Sequence, residues 1–133
     1  MTEIDTKSAT VLLRAFAHPT RLAILQELSK GPKCVTDLED LLPARQANLS
    51  QHLSLLRHTQ LVDFAQDAQM RCYYLAKPKL TRVLLEELAC NEAPVSKSTE
   101  QVKAEKVKLE AKRSVPRAKL THAGKRTVSS RAT

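Results

Sequence analysis

Proline decides where helices begin and end in this chain. Pro19, Pro32, Pro43 and Pro78 break up the first 90 residues. A proline pushes the residue before it out of the α region, lacks an N–H, and suits only the first turn of a helix. Short helices must therefore fit between these breaks. SATVLLRAFA (8–17) puts Val11, Leu12, Ala15 and Phe16 on one stripe, and His18-Pro19 ends it. Pro19 then opens PTRLAILQELSK, with Leu22, Leu25 and Leu28 on one face and Ile24 beside them, until Gly31-Pro32. Lys33-Cys34-Val35 reads as a short extended stretch. Thr36 with Glu39 forms the pattern of a capping box and predicts a third helix, TDLEDLL, with Leu38, Leu41 and Leu42 facing inward. After Pro43 a fourth helix is predicted from about Arg45 to His58, with Leu49, Leu53 and Leu56 inside.

The period then changes. LVDFAQDAQMRCYYLA alternates, which predicts strands at 61–65 and 71–76 joined by a polar loop at 66–70. Pro78 opens a fifth helix carrying Leu80, Val83, Leu84 and Leu88, which ends near Cys90. All four aromatic residues fall in this first part, and residues 1–90 balance 11 basic side chains against 10 acidic ones. Residues 91–133 hold 11 basic and 4 acidic side chains and no aromatic residue. Such a segment cannot bury a core, so a folded domain over 1–90 and a mostly disordered basic tail over 91–133 are expected. Ser98 with Gln101 is placed to cap a transient helix in that tail, to about Lys112.

Several classes are excluded. With two glycines, Gly31 and Gly124, no Gly-rich phosphate loop can form. No apolar run is long enough to span a membrane. MTEIDTKSAT carries acids and no apolar core, unlike a signal peptide, so a cytoplasmic protein with reduced thiols is expected. Cys34 with His52, or Cys72 with His58, would be a thiol–imidazole pair, but no nucleophile elbow or paired-carboxylate site accompanies either. The chain is not expected to be an enzyme.

The order helix, helix, strand, helix, helix, hairpin, helix is that of a winged helix-turn-helix, mostly α with a small β wing. The outer face of the fourth helix carries Gln46, Asn48, Ser50, Gln51, Ser54 and Arg57. Amides and hydroxyls donate and accept together, as reading base edges in the major groove requires, whereas charges alone bind phosphate. Gln69 and Arg71 fall where the tip of the wing should be.

HPTRLAILQEL, CVTDLEDLL, NLSQHLSLLRHTQLV and RCYYLA, in that order, resemble the ArsR/SmtB family of bacterial repressors over roughly residues 8–90. The resemblance implies a homodimer that binds a double-stranded operator and leaves it when an inducer binds. On that pattern the DNA contacts are Arg45, Gln46, Asn48, Ser50, Gln51 and His52. Arg57 meets phosphate, and Arg71 and Gln69 reach the backbone or minor groove. The dimer interface would use Val11, Leu12, Phe16, Leu80, Val83, Leu84 and Leu88. The alternative is a non-specific nucleic-acid-binding or interaction module driven by the basic tail.

This chain departs from the family where an inducer would act. An arsenic-type C-V-C-D-L becomes Cys34-Val35-Thr36-Asp37-Leu38, with one thiol of the two. The zinc-type Asp and His are missing from LTRVLLEELAC. No metal site or cofactor is therefore expected, a thiol-bound metal or metalloid being the one exception left open. Cys34, Cys72 and Cys90 are the sensor candidates. The family pattern pairs the strand of Cys34 with that of Cys72, but puts Cys72 on the core face with Tyr74. The family also has Gly where Gln60 stands, so a left-handed turn there would be strained.

Overall fold

The computed structural model describes residues 2–113. The chain divides into two units, with the boundary between Glu92 and Ala93. The first holds α1 (Thr6–Phe16), α2 (Pro19–Leu28), β1 (Lys33–Cys34), α3 (Val35–Leu41), α4 (Gln46–His58), β2 (Val62–Asp67), β3 (Met70–Leu75) and α5 (Pro78–Cys90). The strands form one antiparallel sheet in the order β1-β3-β2. This is the winged helix-turn-helix expected from the order of periods.

Most of the helix residues expected inside form its core, joined by residues of the sheet. Ile24, Leu25, Leu38, Leu49, Leu53, Leu56 and Leu61 are fully buried, and Phe16, Leu28, Val62, Tyr73 and Leu75 pack with them. Leu41, expected inside, is exposed, because α3 ends there in an extended C-cap at Leu42. α3 also starts earlier than Thr36 and Glu39 predicted. Cys34 is its N-cap, and the Asp37 carboxylate accepts the Cys34 N–H at 2.9 Å. Asp37 reaches back three residues, so the acid three positions after Cys34 sets the start of the helix.

α4 ends in a Schellman turn. Leu61 N–H donates to Leu56 C=O and Gln60 N–H to Arg57 C=O, both at 2.9 Å, and both leucines are buried. The residue at C′ is Gln60, with φ 66°. It takes the left-handed conformation that its family position implies, without being glycine. Gln60→Gly is expected to raise stability by about 0.5–1 kcal/mol, read by chemical denaturation. A loss of stability would mean that the glutamine side chain compensates for its backbone.

The wing is tighter than predicted. Gln66 pairs with Arg71 and Asp67 with Met70, so the expected five-residue loop shrinks to Ala68 and Gln69. Ala68 turns the chain with φ 57°. No glycine or asparagine advertises that turn.

In the second unit, α6 (Thr99–Arg113) is a helix with every side chain exposed. Ser98 Oγ accepts the Gln101 N–H at 3.2 Å, and Gln101 Oε1 accepts the Ser98 N–H at 2.8 Å. This is the capping pair read from sequence, and the helix it opens runs to Arg113. The cap and the run of Glu, Gln, Lys, Ala and Leu favour a helix over this stretch without any burial. The rest of the predicted tail, 114–133, lies outside the described residues.

Candidate nucleic-acid interface

Three leucines orient α4. With Leu49, Leu53 and Leu56 turned into the core, Arg45 at the N-cap and Gln46, Asn48, Ser50, Gln51, Ser54 and Arg57 are exposed. The first turns of α4 and the wing face each other across a cleft of about 480 Å³. Gln46 and Ser50 line it from α4, and Gln66, Gln69, Met70 and Arg71 from the wing, with Val35 and Tyr73 between them. Four predicted contacts, Gln46, Ser50, Gln69 and Arg71, thus converge on one opening. Asn48 and Gln51 are exposed on the same helix outside it.

Arg57 and Arg71 are linked by a residue that sequence reading passed over. Their guanidinium carbons lie 4.4 Å and 4.5 Å from the centroid of the Phe64 ring. Cations over an aromatic face are held by its quadrupole. Phe64 therefore fixes one arginine of α4 and one of the wing. Arg57 Nε also donates to Asp63 Oδ1 at 3.1 Å. The Asp63 carboxyl is held below its ordinary range, first by the Phe64 N–H and then by Arg57. The pair is exposed, so it orients Arg57 more than it stabilises the fold.

His52 is placed differently from its neighbours on α4. It is half-buried, and its ring lies 4.4 Å from that of His18, the N-cap of α2. Arg21 Nη1 approaches His52 Nδ1 at 3.4 Å. Arg21 also donates to the carbonyls of Ala15 and Arg14 at the end of α1, at 2.7 and 3.0 Å. Burial first, then the charges of His18 and Arg21, push the His52 imidazole below its ordinary value. That shift favours the neutral imidazole. His18 and Arg21 carried no sequence signal for this role.

The helices expected at a dimer interface keep apolar side chains in solvent. Val11 is 51%, Val83 50% and Leu88 60% exposed, Leu80 is exposed, and Leu12 and Leu84 are half-buried. Phe16 instead belongs to the core of its own chain.

Cys34 and Cys72 are direct partners in the β1–β3 register, with Cα atoms 4.0 Å apart, and a disulfide joins them. Cys72 is not on the core face. Tyr73 and Leu75 take that face, and Cys72 and Tyr74 point the other way. Phe64 stands opposite Tyr73 with ring centroids 5.5 Å apart, and that aromatic pair sets the phase of the strand. Cys90, at the end of α5, is free and exposed.

Comparison with known proteins decides the family. The model of the bacterial regulatory protein arsR family matches residues 18–63. The transcriptional activator HlyU of Vibrio cholerae is 37% identical over 90 residues, which cover 66% of this chain and 83% of that protein. The chain belongs to the ArsR family. The solved structure of V. cholerae HlyU superimposes with a TM-score of 0.60 at 37% identity, covering 67% of this chain and 99% of that one. A biofilm growth-associated repressor of Agrobacterium fabrum is 39% identical over 74 residues, which cover 56% of this chain and 63% of that repressor. The matched part is under two thirds of the length of that relative, and 61% of a Mycobacterium tuberculosis SmtB repressor. This ArsR-family chain has no group of three or more metal-ligating side chains among its described residues. None of its described helices is long and apolar enough to cross a membrane.

Proposed function

We propose that this chain is a homodimeric, sequence-reading transcriptional repressor that an inducer releases from its operator. The observation that carries the reading is the convergence of Gln46 and Ser50 of α4 with Gln69 and Arg71 of the wing on one cleft. Amides and a hydroxyl at the start of a helix can read base edges in a major groove. Arg71 beside them supplies a phosphate or minor-groove contact, and Arg57, held over the same ring, a second one. Two copies joined through the apolar side chains of α1 and α5 would present two such helices to a two-fold operator. A dimer seated there blocks the promoter, which is repression.

The test is competition between a duplex from upstream of the chain's own gene and a shuffled duplex of equal length, at about 150 mM salt. A preference of about 10³ or more is expected. A ratio near one would leave only phosphate binding by the basic tail and would overturn the reading of α4.

A further inference from the structure

We propose that Cys34 and Cys72 form a reversible redox staple that holds the wing against the helix-turn-helix. Its effect on DNA rests on the function proposed above; its effect on the wing does not. The two residues are directly opposed across antiparallel strands, with Cα atoms 4.0 Å apart. Directly opposed side chains on one face of an antiparallel pair are within reach of each other. The bond closes a loop across 38 positions of sequence.

Its position gives it leverage. β1 has two residues, and Lys33–Tyr73 and Cys34–Cys72 are its whole register. With so short a register, a covalent link adds directly to what holds this strand to β3. Cys34 is also the N-cap of α3, and the next residue, Val35, lines the cleft. Cys72 lies between Arg71 and Tyr73, which line the same cleft, and Arg71 also sits over Phe64. One bond therefore fixes the start of α3 to the strand that carries the wing arginine. Both cysteines are half-buried and lie on the sheet face opposite Tyr73 and Leu75. Neither residue is part of the buried core, so their chemistry does not require the core to open.

The chemistry balances with a hydroperoxide as oxidant. One thiolate attacks the O–O bond, forming a sulfenic acid and releasing an alcohol, or water from hydrogen peroxide. The second thiol attacks that sulfur and expels water, so two thiols lose two electrons and two protons. A small-molecule dithiol reverses the step by exchange through a mixed disulfide and is itself oxidised. In the bridged form Gln46, Ser50, Gln69 and Arg71 converge, so oxidation preorganises the interface and reduction loosens it.

The experiment compares the full chain after hydrogen peroxide and after dithiothreitol. Peptide mapping should find a Cys34–Cys72 bridge only in the oxidised protein. Backbone amides of β1 and β3 should exchange about tenfold more slowly there. The own-gene duplex should bind the oxidised form about tenfold more tightly, through preorganisation. Cys34→Ser and Cys72→Ser should each abolish these differences, and Cys90→Ser should keep them. A bridge made through Cys90 instead, equal exchange in the two states, or tighter binding by the reduced form overturns the proposal. If neither state prefers the own-gene duplex to the shuffled one, the DNA reading falls, and the exchange data decide the staple alone.

Discussion

Leu53→Ala should cost the winged helix unit about 3 kcal/mol, the usual range for emptying a fully buried leucine site. For a unit of this size the melting temperature would fall by roughly 12 °C or more. Leu53 is fully buried at the centre of α4, between Leu49 and Leu56. The helix has little else to hold it. Its N-cap, Arg45, makes no side-chain cap bond, and its first turn has no acid to complement the helix dipole. A 13-residue helix of this kind is marginal by itself, so packing supplies its stability. Ser54→Ala, one residue on and exposed, should stay within about 0.5 kcal/mol of the parent. Urea unfolding of the two variants checks both numbers. A loss below about 1 kcal/mol at Leu53 would mean that the core closes over the gap.

The same helix shows what sequence can and cannot tell. Its leucine spacing fixed which face is inside, and so which residues face out. At Gln60 only the family's glycine pointed to a left-handed turn, and the φ of 66° shows the glutamine adopting it. The wing was harder. Cys72, Tyr73, Tyr74 and Leu75 are acceptable on either face, so alternation alone leaves the phase open. The Phe64–Tyr73 pair settles it, and that pairing depends on the register across a turn that no glycine marks. The same register puts Cys72 opposite Cys34 and brings Arg71 onto Phe64. Arg57 reaches that ring from another element, and His52 meets His18 from 34 positions away. Such contacts are made by tertiary packing, and no local pattern announces them.

Truncation after Glu92 should change how salt acts on DNA binding and leave base preference alone. The cut keeps Asn91, the left-handed C-cap of α5, and removes only the second unit. Residues 1–92 then carry 11 basic and 11 acidic side chains, whereas 93–133 carry 11 basic and three acidic ones. Six of those basic residues lie within 93–113, and all the side chains of α6 are exposed. Each phosphate neutralised on duplex DNA contributes about −0.9 to the slope of log K against log salt. If about half of the 11 tail cations reach phosphates, the slope should become shallower by about 5 on truncation. At about 150 mM salt the affinity should fall by roughly 10² or more, equally for the own-gene and shuffled duplexes. The ratio between the two is a property of α4 and the wing, because phosphate contacts carry no base information. An unchanged slope would show that the tail is a bystander, and a changed ratio would place part of the base reading beyond Glu92.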